Sequence, residues 1–311
     1  MKQTVSLAEI CKGESYMIRY DRKKECCNVP YSVNISVTEK CPLKCPFCFH
    51  EYDNDNELSV NQVYRYIDEL ASMGTAQIQF SGGEPLIYPH ILEVISYAHS
   101  KGIRVVISTS GVTITEQYAK ELKDRGLDCC YVSLNGSTAE IHEITRDGYE
   151  FTINALKIFK EIGLVTAINW VAGHDNINDL EKLIGFAKNL GVRHISVIPM
   201  KRSGRNNAFQ EMTKEDLGKL IECFNRNKGY IIAESCFDSL IAKKQNFKSV
   251  SDGCRAGKFY MSINAKGSFL CCPHLLNSAA VAPSIEEYWN NDEYILKFRQ
   301  YRECPCLTIL V

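Results

Sequence analysis

The chain lacks an excess of charge. Lys and Arg number 36 against 37 Asp and Glu, a net charge of −1 over 311 residues. With no basic face to dock on, neither nucleic acid nor an anionic membrane surface is an expected partner. The segment MKQTVSLAEICKGESYM lacks the apolar core, roughly 7–15 residues long, of a secretory signal. No stretch approaches the roughly 18 apolar residues of a membrane helix. Low-complexity segments are missing too, and a cytoplasmic location is the expectation. Hydrophobic residues at 45% and charged ones at 23% still leave ample material for a core. What the chain does have is cysteine, 15 of them. In a reducing compartment disulfides explain little, and metal or redox roles explain more, although several thiols will pack as small hydrophobes.

The hydrophobic pattern alternates between strand and helix. Strand-like runs at 32–38, 76–82, 103–111, 129–136, 164–171 and 192–199 are each followed by an amphipathic run, at 60–74, 90–102, 116–126, 151–163, 178–191 and 214–227. Units of about thirty residues, with buried strands and amphipathic helices, predict an α/β fold: a parallel sheet curved into a partial (β/α)6 barrel. Reactive groups in such a fold lie at the C-terminal ends of strands. The β–α rhythm stops near residue 228. The expected organisation is an N-terminal extension 1–31, a barrel 32–227, a bridging segment 228–253 and a small cysteine-bearing module 254–311.

CPLKCPFCFH (41–50) places Cys41, Cys45 and Cys48 in a C-x3-C-x2-C spacing directly after the first strand. Such thiolates converge only if the loop wraps a common centre. An iron–sulfur cubane held by three cysteines keeps one iron open, as catalytic zinc sites keep an open position. A zinc site is the alternative, with His50 as its fourth ligand.

The segment resembles the radical S-adenosylmethionine (SAM) superfamily, and the resemblance covers roughly residues 32–200. Phe47 matches the aromatic that packs near the adenine, and SGGEP (81–85) matches the GGE motif after the second strand. The resemblance implies that backbone around Gly82, Gly83 and Glu84 meets the SAM amino group, the glycines permitting close approach. It implies further that Thr109, Ser110, Ser133 and Asn135 line the ribose and carboxylate region. Arg146 in HEITRDG would lie near the carboxylate, and Ile198 would flank the adenine. A 4Fe–4S cluster on the three cysteines would chelate SAM through its open iron and deliver one electron, yielding a 5′-deoxyadenosyl radical.

A second group follows. The spacing from Cys254 through Gly267 to Cys272 resembles the C-terminal SPASM or twitch modules of that superfamily, which hold an auxiliary 4Fe–4S cluster. The implied ligands are Cys254, Cys272, Cys304 and Cys306, making two 4Fe–4S clusters in all. The chain ends five residues after Cys306, so one auxiliary cluster is expected rather than two. Cys271 competes with Cys272, because a strand alternates faces. A zinc ribbon or a redox pair is the alternative reading.

By resemblance, enzymes with this layout mostly modify ribosomally made peptides. A precursor peptide and an external electron donor of flavodoxin or ferredoxin type are then the expected partners. The reaction is epimerisation or a thioether or carbon–carbon cross-link; the alternative is a small-molecule enzyme of cofactor biosynthesis. Molybdenum-cofactor cyclases carry a Gly-Arg-rich tail, and this chain ends CPCLTILV. Epimerisation needs a hydrogen-atom donor, for which Cys236 and then Cys223 are the candidates.

Overall fold

The computed structural model describes residues 18–21, 25–50, 55–200, 210, 212–234, 254–275 and 279–300. The inferred ligands Cys304 and Cys306 and the candidate donor Cys236 lie outside the described residues.

Each expected strand forms: β3 (Ser32–Thr38), β4 (Gln77–Gly82), β5 (Arg104–Thr109), β6 (Cys129–Ser133), β7 (Thr166–Ala172) and β8 (Ile195–Pro199). So do the helices between and after them: α1 (Val60–Met73), α2 (Ile91–Ser100), α3 (Glu116–Asp124), α5 (Tyr149–Glu161), α6 (Leu180–Asn189) and α7 (Lys214–Arg226). A one-turn helix, α4 (Ala139–His142), precedes α5. Local signals set the ends. Ser59 and Gln62 form a reciprocal capping box at the start of α1, and Gly74 closes it in the left-handed conformation at φ 84°.

The sheet runs further than the six expected strands. Its order is β11-β10-β3-β4-β5-β6-β7-β8-β9, an open sheet whose two ends do not pair. The β–α rhythm, expected to stop near 228, continues with β9 (Ile231–Ala233), parallel to β8. At the other edge β10 (Tyr260–Ile263) lies parallel to β3, and β11 (Phe269–Leu270) returns antiparallel to β10. The cysteine-rich C-terminal segment is thus hydrogen-bonded into the same sheet. A short ribbon of β1 (Tyr20–Asp21) and β2 (Cys26–Cys27) stands apart. Helices α8 (Ile285–Asn291) and α9 (Glu293–Phe298) follow. Trp289 Nε1 donates to the Cys27 carbonyl at 3.1 Å, tying that ribbon to α8. Arg299 stacks over the Trp289 ring and donates to the Gly257 carbonyl at 2.6 Å.

Strand alternation gives the two faces opposite chemistry. Val33, Ile35 and Val37 of β3 and Ile78 and Phe80 of β4 are fully buried, in one core with Val63, Ile67 and Leu70 of α1. Ser32, Asn34, Ser36, Gln77, Gln79 and Ser81 alternate with them and face the concave side. There Ser81 donates to Asn34 Oδ1 at 2.7 Å, Gln77 to Ser32 Oγ at 3.3 Å, and Gln79 to Ser108 Oγ at 2.6 Å. No described helix is long and apolar enough to cross a membrane.

Candidate active site

The cysteine loop leaves β3 at the C-terminal rim, and the two glycines beyond β4 hold it there. Gly83 N donates to the Thr38 carbonyl at 2.7 Å and Glu84 N to the Lys40 carbonyl at 2.9 Å. A Cβ at Gly82 would run into the Thr38 carbonyl oxygen, and one at Gly83 into that of Lys40. Gly82 also takes φ 139°, which disfavours any side chain. These glycines therefore admit the chain's own backbone, and the Gly83 and Glu84 N–H groups are engaged in doing so.

Glu84 is 1% exposed. Its carboxylate accepts from Thr109 Oγ1 at 2.6 Å, from Ser110 N at 2.8 Å and from the Ser110 hydroxyl, and it caps Leu86 N at 3.1 Å. The rim of β4 is thereby fastened to the rim of β5. On the other side Lys44 N donates to Asp147 Oδ2 at 2.7 Å, anchoring the cysteine loop to the segment after β6.

Within the loop Cys48 N donates to the Cys45 carbonyl at 3.1 Å. Cys41 is the most open of the three thiols, yet partial burial, reinforced by the charges of Glu84, Cys45 and Cys48, pushes it up to about 12. Burial raises Cys45 as well, against the Arg146 guanidinium, which lowers it. The thiols are thus close enough to feel one another. Among the described residues no group of three or more His, Cys, Asp or Glu side chains is already drawn together as for a bound metal ion. His50 instead packs against Phe49, ring centroids 4.1 Å apart. Three cysteines on one short loop suit a cluster in which each ligates a different iron.

Arg146 lies over the Phe47 ring at 4.8 Å. Its buried Nε has no hydrogen-bond partner within the protein, and neither has Nε2 of His142, one helical turn earlier. His142 Nδ1 accepts from Asn135 N at 3.2 Å, so Nε2 carries the proton, and burial pushes this imidazole down to about 4. Two unsatisfied donors in one segment suit an anionic group.

Not every expected contact is open to a ligand. Asn135 is fully buried, its Nδ2 donating to Thr145 Oγ1 at 2.8 Å and its Oδ1 accepting from Val171 N at 3.0 Å. Thr109 is occupied by Glu84 and by Gly111 N. Both side chains are scaffold. Ser133 is buried at the end of β6. Cys223 sits on α7, in the helix layer outside the sheet, where its sulfur accepts from Asn227 Nδ2 at 3.7 Å. It does not reach the concave side.

A cleft of about 400 Å³ occupies that concave side. Asn34, Gln77, Gln79, Tyr131 and Asn169 line its floor, with Ile198 and Glu234 toward the β9 edge and Arg255, Cys272 and His274 toward the β10 edge. Cys272 faces the cleft; its neighbour Cys271 turns away, its sulfur 3.5 Å from the Tyr288 hydroxyl in the core. Cys254 is buried nearby. The amide floor went unread in the sequence, although polar residues at alternate positions of SVNISVT and QIQFSG signal it.

Residues 35–187 match the model of the Radical SAM superfamily. The chain carries a radical SAM domain. SAM and a 4Fe–4S cluster are the cofactors that go with such a domain. The AdoMet-dependent heme synthase of Methanosarcina barkeri is 24% identical over 303 residues, covering 89% of this chain and 86% of that protein. The PqqA peptide cyclase of Ruegeria pomeroyi is 30% identical over 174 residues, 54% of this chain and 46% of the cyclase. Among solved structures, Streptococcus suis SuiB bound to its precursor peptide SuiA superposes with a TM-score of 0.76 at 18% identity, over 90% of this chain and 69% of that one. At that identity the likeness is one of fold, and SuiB shares the partial barrel.

Proposed function

We propose that this radical SAM enzyme installs a post-translational modification, an epimerisation or a cross-link, in a ribosomally made peptide. Cys41, Cys45 and Cys48 would hold the SAM-cleaving cluster, while the unsatisfied nitrogens of Arg146 and His142 offer donors to the SAM carboxylate. Cluster and SAM together, when bound, supply a one-electron cleavage that generates a hydrogen-abstracting radical. The protein holds the cysteine loop at the rim through Gly83, Glu84 and Asp147 and presents the cleft floor to the substrate. Cys272, which faces the cleft, would hold an auxiliary cluster together with Cys254 and with Cys304 and Cys306, which lie outside the described residues. An external one-electron donor completes the cycle.

The observation that carries the peptide reading is the chemistry of the floor. Gln77, Gln79, Asn34 and Asn169 present amide groups; each spends one position on a neighbouring serine and, by the count of an amide's donors and acceptors, keeps others to donate and accept as a peptide main chain does in return. A porphyrin, a flat apolar macrocycle with carboxylate arms, would meet Tyr31, Tyr131, Ile198, Phe259 and Tyr260 of the same lining, with Arg255 and His274 for its arms. The whole-length match to heme synthases favours that second reading, a small-molecule enzyme of cofactor biosynthesis.

The test is incubation of the reduced, cluster-loaded protein with SAM, in D2O, with peptides encoded beside its gene or with porphyrin precursors. The expected outcome is 5′-deoxyadenosine formation coupled to a changed peptide, either deuterated at an α-carbon or lighter by a pair of hydrogens. Turnover of the porphyrin precursor with the peptides unchanged would replace this reading by the second.

A further inference from the structure

Beyond the cleft, on the same face of the sheet, lies a smaller pocket of about 220 Å³. It is walled by Phe49 and His50 of the cysteine loop, by Asn264 to Lys266 of the β10–β11 turn, and by Pro273, which also lines the cleft. The two spaces are consecutive along two strands. On β3, Ser32 and Asn34 line the cleft and Ser36 lines the pocket; on β10, Tyr260 lines the cleft and Ser262 the pocket. The register Ser262↔Asn34 keeps both rows on one face. The step from one space to the next is two strand residues, about 7 Å, which is also the spacing of alternate residues in an extended peptide.

One group in the pocket stands out. Ser262 is 1% exposed and its hydroxyl has no hydrogen-bond partner within the protein. A buried hydroxyl left unsatisfied destabilises a fold, and such groups are uncommon unless something else satisfies them. The pocket's charged members are mixed in sign, Glu39 against Lys266, and Glu39 already accepts from Asn56 Nδ2 at 2.6 Å. That lining selects a neutral polar group over a charged one.

We propose that this pocket is a second substrate subsite, which takes a main-chain amide of the residues flanking the reacting one and anchors it on the Ser262 hydroxyl. The proposal rests on the peptide reading above. It makes the enzyme a reader of peptide length: the cleft holds the reacting residue, and the pocket holds a neighbour two positions along.

The experiment uses the cluster-loaded enzyme with SAM and decapeptides selected by display from a random pool, each then shortened to four residues around its minimal binding core. Binding is followed by fluorescence anisotropy and stability by thermal unfolding. The expected result is that the longer peptides bind wild type more tightly than their cores. Ser262→Ala should erase that gain, about three- to tenfold, leave core binding unchanged, and hold or raise the melting temperature because an unsatisfied hydroxyl has gone. Ser262→Val, which also fills the pocket, should erase it as well. If Ser262→Ala lowers the melting temperature and weakens both lengths equally, the hydroxyl holds a structural water and the proposal is overturned. Equal binding of both lengths to wild type would remove the second subsite and leave the peptide reading intact. If no pool member binds at all, the peptide reading goes, and this proposal with it.

Discussion

The two cysteine groups are built in opposite ways. Cys41, Cys45 and Cys48, of which only Cys45 is buried, stand on a loop after β3, held by the backbone N–H groups of Gly83 and Glu84 and by the Asp147 carboxylate. Cys254, Cys271 and Cys272 are each buried, the last two directly after β11 of the extended sheet. The first group is a site clipped onto the fold; the second is part of it. Loss of the first should therefore cost chemistry with little stability, and loss of the second should cost stability as well.

The sharpest way to break this comparison is to change Cys41, Cys45 and Cys48 together to Ala. Iron should fall from about eight per chain to about four, SAM cleavage should vanish, and the melting temperature should stay close to wild type. Iron assay and 5′-deoxyadenosine measurement decide it, and continued cleavage would undo the assignment.

Next comes Glu84→Ala, which leaves Thr109, Ser110 and Leu86 N without their buried acceptor. A loss of about 3 kcal/mol in unfolding free energy is expected, together with weaker SAM binding; Glu84→Gln, which keeps an acceptor oxygen, should recover about half. Equal effects of both variants would mean that the carboxylate does not fasten the rim.

The neighbouring pair Cys271 and Cys272 tests the second group from inside. Cys272→Ala should lower iron while slow SAM cleavage continues, and Cys254→Ala should do the same. Cys271→Ala should keep the iron but cost about 1–2 kcal/mol, since it removes a core sulfur packed beside Tyr288. The reverse pattern would exchange their roles.

The smallest effect lies far from both groups and tells loss of a site from loss of the fold. His174 Nδ1 lies 2.8 Å from Asp216 Oδ2, joining the segment after β7 to the start of α7. The bond raises the imidazole pKa. Burial pushes Asp216 up, but the bonds from His174 and Thr213 outweigh it and hold the carboxyl below its ordinary range. The imidazole contribution is complete below about pH 6.5 and is lost as pH rises through the raised folded value. The carboxylate contribution is complete above about pH 4 and is lost as pH falls through the lowered one. His174→Ala should thus lower the melting temperature most between about pH 4 and 6.5, with iron content unchanged throughout. A pH-independent difference would remove the ion pair from the account.

Much of this was legible in the chain. Periodicity located six strands and six helices because each segment is long and amphipathic enough to speak for itself. It marked the strand-like run YIIAES around β9 but set it outside the barrel, and it missed the joining of β10 to β3, whose pairing spans more than 200 residues and leaves no local trace. The cysteine loop was legible from its spacing. The fate of individual polar atoms was not: Thr109 and Asn135 looked like ligand contacts from their places at strand ends, yet both are engaged by neighbours remote in sequence. Ser262, an ordinary residue in a strand, became notable only once its hydroxyl was found without company.

The alternation along β3 and β4 has an evolutionary consequence. Positions 33, 35, 37, 78 and 80 carry the core, while positions 34, 36, 77 and 79, interleaved with them, line the cleft and the pocket, the side proposed to meet substrate. Stability and recognition are thus written on alternate letters of the same words. A lineage can rewrite the recognition letters one at a time, trading amides for apolar or charged groups, without disturbing the letters that keep the sheet folded or the glycines that hold the cysteine loop. One such scaffold can pass from one substrate class to another by a series of viable single substitutions.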